Sequence, residues 1–591
     1  MEKTKITWPI IIVGGGPVGL SASIYLSLQG IKHILFERYP GTSIHPKAVG
    51  LNPRTMEIFK ELGVEAEVLK QRAPPETAER TAWRTAIGPE GRQIFARDAW
   101  KADYYRTASP STYAMLPQIR LEPILHKRAC ELNPEGIHHN AEVVDVAEDA
   151  DSATVSVKHR GDDTIDTYRA RFIIAADGGR TVTDKLGIKW EGEWDVNDMV
   201  TCHLRASLSK FLDPSTLITW LINPRMGGTI GTGILYHLGP YPSKGDTEEW
   251  SFVFGTAPGD PDQFDTEKVL ERARKSMGVP DLQFEVLNIS HWSVQARVAE
   301  KYRSSGGRIF LVGDAAHRIP PWGALGLNTG IQDVQNLVWK LGLAINGDDG
   351  SGKFDRLLDT YGEERHPIGQ RVASSSLYNL RSHGLGMDKA LGLSIENDPE
   401  ANVQALERYF DESHADHAAV REAVSAAQVG LDLEFHATGA EVGWFYPSAD
   451  INNEGAGTNH DGALLSTGEL DCTNYHPSTI PGHQVPHAWL EKDGVILSTR
   501  NLAVPGKFIL LVQNPNEWRK TTNEYVKMEV IDGQQGWVDR DGSWAQTCGV
   551  GENGAVLMRP DRIVAWRGQA CDEGLLAEFD RLVLRLLNLS V

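Results

Sequence analysis

The chain has 591 residues, too many for one hydrophobic core, so two to four domains are expected. Acidic residues outnumber basic ones by 79 to 59, and the net charge of -20 repels nucleic acid and anionic membrane as main partners. The five cysteines are scattered without metal-type spacing, which predicts no metal site and a reducing, cytoplasmic setting. The N-terminal apolar run is short and ends in a glycine loop, so it does not read as a signal peptide. No stretch approaches the roughly 18 uninterrupted apolar residues of a membrane span.

In chain order, residues 7–13 read as a buried strand, followed by GGGPVG, an apolar-periodic helix to about Gln29 and the strand HILFE. Gly14, Gly16 and Gly19 stand in a G-x-G-x-x-G frame. Gly14 permits the tight turn, Gly16 lets backbone approach a pyrophosphate, and Gly19 lets helix and strand pack closely. Glu37 ends the second strand, where it can accept hydrogen bonds from an adenosine ribose. The helix N-terminus offers free amides to phosphates.

RTMEIFKELGV reads as a helix, and another starts near Leu116 with LEPILHKRACEL. From about 141 to 176 the pattern is a strand meander. It closes on FIIAADGGRTV, where Asp177 ends a strand before two glycines and Arg180. From about 190 to 295 strands dominate: TCHLRASL, TLITWLIN, TIGTGILYHL, EEWSFVFGT and FEVLNISHWSV. Trp220, Trp250 and Trp292 lie inside them and read as core, then as pocket wall.

GRIFLVGD is a further strand that ends in Asp314, an acid expected to be buried and to need donors. In the GDAAHRIPPWGALGLNTGIQD stretch that follows, Thr329 and Gln332 form a T-x-x-Q pattern expected to cap the next helix. Ile331, Val334, Val338 and Leu341 supply that helix with its apolar face. The segment thus aims a helix N-terminus at a ligand whose other end lies on the first glycine loop. A dinucleotide with a reducible ring system fits, because a helix N-terminus stabilises the negative charge of the reduced ring.

GDDGSGKF, Gly347 to Phe354, approaches a phosphate loop but ends in Phe and carries two acids; it reads as a helix-ending turn. HADH, His414 to His417, reads as a solvated helix face rather than a metal pair.

Together GGGPVG, AADGGR, GDAAHRIPPWGALGLNTGIQD with NLVWKL, and YGEERHP resemble the FAD-dependent aromatic-ring hydroxylases of the para-hydroxybenzoate hydroxylase type. SPSTYAMLPQIRLEPIL, PGHQVPHAWL and GAVLMRPDRIVAWRG resemble the longer branch with phenol 2-monooxygenase and 2,4-dichlorophenol 6-monooxygenase. The resemblance covers nearly the whole chain. It implies an α/β fold: a Rossmann-like FAD-binding domain in two parts (1–186 and 301–375) and an interleaved β-rich substrate domain (187–300). A helical connection (376–440) and a C-terminal thioredoxin-like domain without C-x-x-C (441–591), supporting packing or dimerisation, complete it.

The resemblance further implies FAD on Gly14, Gly16, Pro17, Gly19, Glu37, Arg38 and Asp177, with Lys47 at the pyrophosphate. Asp314 would hold the ribityl-pyrophosphate region and Gln118 would lie beside the flavin. The Pro320–Leu327 loop, with Pro321, Gly326, Leu327 and Asn328, would lie against the isoalloxazine. NADPH or NADH reduces the flavin, and O2 then yields a flavin hydroperoxide that hydroxylates a phenol. Three positions depart from the family pattern: Lys47 stands where arginine is frequent, Thr183 replaces another arginine, and Val49 replaces the acid thought to activate the phenol. The activating residue therefore stays open among Tyr236, Arg225, His237 and His45, with Tyr236 and His237 on opposite strand faces. Baeyer–Villiger or epoxidation chemistry on a polyketide-like compound is the alternative. A scaffold that has lost its flavin is opposed by the intact GGGPVG and GDAAH.

Overall fold

The computed structural model describes residues 8–161, 163–242, 247–257, 259–347, 351–447, 453–521, 523–570 and 573–589. Trp8–Val13, rich in isoleucine and closed to solvent from Ile10 onward, has parallel neighbours on both sides: His33–Phe36 and the end of Ile165–Ala175. A strand buried on both faces reads as a continuous apolar run. Ile309–Leu311 extends this parallel core beyond Ile165–Ala175, while Ala153–His159 and Ala141–Glu148 continue it as the expected antiparallel meander. The result, with Ile137–His138 at the far edge, is a seven-stranded sheet among the described residues.

The second sheet is antiparallel for most of its width and runs through Glu285–Ala299, Trp190–Arg205, Glu249–Thr256, Gly233–Gly239 and Ile218–Leu221. Arg80–Arg84 and Gln93–Asp98, which precede the meander in sequence, join its edge. One face packs Cys202, Leu204, Leu235, Trp250 and Phe252 against the amphipathic helix Thr266–Met277. The other face carries Met199, Trp220, Ile234 and Val253 into a cluster with Leu377, Leu380, Met387, Leu391 and Phe435 of the helical stretch after residue 370. TIGT departs from its expected strand: Thr229–Thr232 forms one helical turn between glycines at φ 122 and 118, and the Thr229 amide and hydroxyl are held by Asp388.

The C-terminal region pairs Phe508–Val512 in parallel with Val526–Val530 and antiparallel with Ala555–Met558, which continues to Val564–Gly568; Glu573–Leu586 follows. Cys130, Cys202, Cys472 and Cys548 are free thiols, and Cys571 lies outside the described residues.

Two buried ion clusters join this region to the first part of the chain. Glu57 receives Arg54 at 3.2 Å, Arg500 at 2.6 Å, Gln484 at 3.1 Å and the Ser109 hydroxyl at 2.7 Å. Glu364 receives Arg559 at 2.5 and 2.9 Å, Lys340 at 2.8 Å and Asn336 at 2.6 Å. Arg500, Gln484 and Arg559 come from the C-terminal region, so neither cluster closes without it.

Removing one member of such a cluster strands a buried charge. Glu57→Ala should therefore cost about 3–5 kcal/mol in urea unfolding followed by tryptophan fluorescence. Glu400→Ala, which breaks the exposed Arg225 pair, should cost less than about 1 kcal/mol. Burial alone would raise the Glu57 pKa, but Arg500 and Arg54 hold it at about 2, below the ordinary 4.5. Its stabilisation is whole above pH 4.5 and is lost as the pH falls toward 2, so the gap between wild type and E57A should close over that window.

Candidate flavin and substrate site

Three turns leave the carboxyl ends of three adjacent parallel strands: Gly14 after Trp8–Val13, Asp177 after Ile165–Ala175, and Gly313 after Ile309–Leu311. Ligands of open parallel sheets bind at this edge. The turns are also tied to each other. The Thr183 hydroxyl donates to the Ala315 carbonyl at 2.8 Å, and Arg318 donates to the carbonyls of Gly178 and Gly179 at 3.0 and 2.8 Å. Thr183, a departure from the family pattern, is therefore a clasp between two turns.

The glycine loop follows its sequence reading closely. Gly14 has φ +105, and a Cβ there would sit 2.3 Å from the Ala176 carbonyl oxygen. A Cβ at Gly19 would lie 2.0 Å from the Gly14 oxygen, so this glycine lets the helix Pro17–Leu28 sit down on the turn. A Cβ at Gly16 would meet nothing within 4 Å, which leaves the backbone open to a ligand. The helix begins with Pro17, has no acid in its first turn and takes no side-chain cap. Glu37 accepts from the Gly15 amide at 2.6 Å and the Tyr39 amide at 2.8 Å, fixing the carboxylate beside the loop. Arg38 is partly exposed and lies 3.6 Å from Glu142. The Asp177 carboxylate is taken up by the amides of Gly179, Thr181 and Val182, so it shapes its own turn.

At the third turn the acids exchange places relative to expectation. Asp314 is exposed, and among the described residues its carboxylate has no side-chain hydrogen bond. The buried acid is Asp333, 0% exposed, which accepts from the Gly313 amide at 3.0 Å, His317 Nε2 at 2.7 Å and Arg365 Nε at 2.7 Å. Burial pushes its pKa up, but Arg365 and His317 outweigh this and hold it below the ordinary carboxylate value. Arg365, from the YGEERHP segment, also donates to the Thr329 carbonyl at 3.0 Å and the Tyr446 hydroxyl at 3.1 Å. Asp333 thus locks the turn to the long helix, and Asp314 is left facing outward. The expected Thr329–Gln332 cap does not form. The helix starts three residues earlier, at Gly326, and Thr329 donates its hydroxyl back to the Leu325 carbonyl. No side chain caps that N-terminus and no acid lies in its first turn, so its leading amides are available to an anionic ring edge.

The flavin-ring end converges on the segment 46–52. The Gln118 amide donates to the carbonyls of Pro46 and Ala48, and its side chain bonds Glu122. Asn328 donates to the Gly50 carbonyl at 3.0 Å and accepts from the Asn52 amide at 3.0 Å, pinning the long helix to the same segment. Lys47 is exposed with φ 46, and Pro321, Gly326 and Leu327 lie in the adjacent loop and helix start. The open Gly16 backbone at one end and the uncapped Gly326 helix at the other fit an extended FAD.

Beside the Pro320–Leu327 loop lies a narrow cleft walled by Trp322, Trp220, Met199, Ile234, Val253 and His383. His383 is on a π-turn, Ser382–Gly386, a local form frequent at functional sites. Its Nδ1 lies 2.7 Å from Glu434, and its Nε2 accepts the Trp83 indole N–H at 3.0 Å, which fixes a neutral tautomer. No sequence pattern marked His383, Glu434, Arg318 or Arg365 individually.

Among the four candidate activating residues, Tyr236 shares the strand face of Ile234 and belongs to the apolar cluster around the cleft. Burial raises its pKa, so it is a neutral phenol. His45 lies against Asn288 and near His203 of the second sheet, and burial and Lys47 lower its pKa. His237 points to the opposite face and packs on Trp250, with its pKa lowered by burial to about 4. Arg225 is exposed and paired with Glu400 at 2.9 Å, away from the cleft. His414 precedes the helix His417–Gly430, so the two histidines of HADH do not share one helix. Among the described residues no group of three or more His, Cys, Asp or Glu is placed to hold a metal, and no helix is long and apolar enough to cross a membrane. Gly347 follows the long helix as a turn, whereas 348–350 of GDDGSGKF lie outside the described residues.

Family models match the chain twice: an FAD-binding domain over residues 7–376 and an aromatic-ring hydroxylase C-terminal domain over 478–585. Tetracenomycin B2 monooxygenase-dioxygenase of Streptomyces olivaceus is 31% identical, with 99% of each chain covered. 2,4-Dichlorophenol 6-monooxygenase of Delftia acidovorans is 30% identical, again with 99% of each covered. The crystal structure of the flavin-dependent monooxygenase PieE with FAD and substrate superposes with a TM-score of 0.87 at 32% identity, over 98% of this chain and 99% of that one. The chain belongs to the FAD-dependent aromatic-ring hydroxylases, and FAD is its cofactor.

The glycine geometry separates binding from folding. Gly16→Val should abolish the yellow FAD absorbance of the purified protein while leaving its circular dichroism unchanged. Gly14→Ala should lower the melting temperature as well, since the added Cβ meets backbone 2.3 Å away.

Proposed function

We propose that the protein hydroxylates a phenolic ring, with NAD(P)H as electron donor and O2 as oxygen source. One observation carries the reading: Trp322 belongs both to the loop that follows the third turn and to the wall of the aromatic cleft. A ring between Trp220 and Trp322 would therefore lie directly beside the flavin-facing loop. When bound, FAD would carry electrons from nicotinamide to O2 and make one of the two O2 oxygen atoms electrophilic. The chain binds and orients the phenol, excludes water with indole and aliphatic walls, and offers the substrate oxygen a hydrogen-bond partner.

Tyr236 is that partner in this reading, because it shares the strand face of Ile234, which lines the cleft. As a neutral phenol it orients rather than deprotonates. His45 Nδ1 is buried without a hydrogen-bond partner and, with its lowered pKa, is neutral at physiological pH, which suits it to accept the phenol proton. Asp314, exposed and uncommitted, is assigned to the ribityl-pyrophosphate region, and Lys47 to a phosphate. The names of the relatives cover simple phenols and polycyclic polyketides alike. Val49, partly buried against the cleft cluster, favours a substrate that does not need a carboxylate at that position. The free thiols fit a cytoplasmic location.

A panel of phenols and polycyclic phenols should accelerate flavin reduction by NADPH, and labelled dioxygen should place one oxygen atom in a product whose rings stay intact. A ring-opened or lactone product would instead establish Baeyer–Villiger chemistry. Tyr236→Phe should lower kcat/KM about tenfold, the value of one hydrogen bond, with FAD affinity unchanged. Arg225→Ala should leave kcat/KM as it is.

A further inference from the structure

Glu441 is 1% exposed, and neither of its carboxyl oxygens has a hydrogen-bond partner. The hydroxyls of Tyr105 and Tyr113 and the indole N–H of Trp100 are likewise buried without partners. These groups form one neighbourhood. The Tyr105 and Tyr113 rings are 6.1 Å apart and Tyr113 stacks on Trp100 at 5.5 Å. Both phenols lie close enough to Glu441 that its ionised form would raise their pKa, and the Tyr105 hydroxyl lies near the carboxyl without reaching hydrogen-bond geometry. Each such orphan would cost about 1–3 kcal/mol, more for an ionised carboxylate, unless ordered water completed its bonding.

The neighbourhood touches two others. Outward, Trp100 and Tyr113 line a cleft that Arg72, Glu79 and Thr112 also line. Inward, the space a Cβ at Gly50 would fill is bounded by the Tyr113 hydroxyl at 2.4 Å and Ala324 Cβ at 2.9 Å. Gly50 and Ala324 belong to the 46–52 segment and the Pro320–Leu327 loop, the wall of the flavin-ring end.

We propose that Glu441, Tyr105 and Tyr113 are stations of a proton path that runs through buried water from the outer cleft to the Gly50–Ala324 wall of the flavin site. The proposal rests on the flavin placement argued above. The Glu441 carboxyl passes its proton inward to a basic oxygen at the flavin site and regains one from solvent water through the cleft, so Glu441 is unchanged and solvent supplies the proton that each turnover takes up. Other charged groups nearby are already committed. On Pro53–Leu62, which packs against the helical turn Thr438–Val442 that carries Glu441, Arg54, Glu57 and Glu61 are held in ion pairs and Lys60 is exposed. On Ala102–Tyr105, Asp103 is exposed and paired with Arg106. Among the described residues no cation pairs with Glu441. Burial raises its pKa to about 8, so the carboxyl carries its proton at neutral pH.

Infrared spectra of the full-length protein at neutral pH test the first half. A carbonyl band of a protonated carboxylic acid, shifted in deuterium oxide, should be present in wild type and missing in Glu441→Gln. Turnover tests the second half. E441Q and Tyr113→Phe should each lower kcat roughly tenfold or more and change the solvent isotope effect. The fall in wild-type kcat above about pH 8 should vanish in E441Q. Absence of the band in wild type, its persistence in E441Q, or an unchanged isotope effect and pH limb in both variants would overturn the path. If E441Q does not fold, Y113F and Tyr105→Phe carry the same comparison. A protein that takes up no FAD would defeat the functional reading instead, while the infrared band of the flavin-free chain would still decide the state of Glu441.

Discussion

The site depends on one buried carboxylate. Asp333 sits on the long helix and holds the backbone amide of Gly313, the ring of His317 and the guanidinium of Arg365 at once. An unpaired charge at 0% exposure is costly, so each contact enforces the others. The amide contact sets the turn after Ile309–Leu311, and the Arg365 contact sets the following helix against it. The direction of the Gly326 N-terminus follows from those two constraints. The Asp333 carboxylate is taken up by these three partners, and it decides where the groups that face the ligand can be.

The two sheets then divide the work. The parallel sheet brings three turns to one edge, which suits a long ligand with phosphates at one end and a ring at the other. The second sheet contributes a flat aromatic wall, because alternating residues of its strands gather Trp220, Ile234, Tyr236 and Val253 on one face. Trp322 bridges the two, so movement of the loop that carries it would alter the substrate cleft and the flavin end together.

Local patterns made much of this legible in the sequence. The roles of Gly14, Gly16 and Gly19 follow from backbone geometry alone, and the strand meander and the opposed faces of Tyr236 and His237 follow from a period of two. Asp314 and Asp333 were not separable in this way, since which of two acids in one segment is buried depends on Arg365, a distant partner. The Thr329 cap failed for a related reason: Asn328 anchors the helix to Gly50 and Asn52, far away in the chain, and starts it before Thr329. The sequence of Thr229–Thr232 is compatible with a strand, but Asp388 holds it as a helical turn. His383 and Glu434 became visible only once the fold brought Trp83 beside them.

The ion clusters around Glu57 and Glu364 bear on how such a chain could be recombined. Each is a lock whose two halves are written in separate stretches of sequence: acids and part of the bases before residue 370, the remaining arginines after residue 480. Grafting a relative's C-terminal portion onto this protein would succeed only where the incoming segment presents guanidinium groups at the positions of Arg500 and Arg559. Compatibility between exchanged parts would therefore be decided at a handful of buried charges, well away from either catalytic partner.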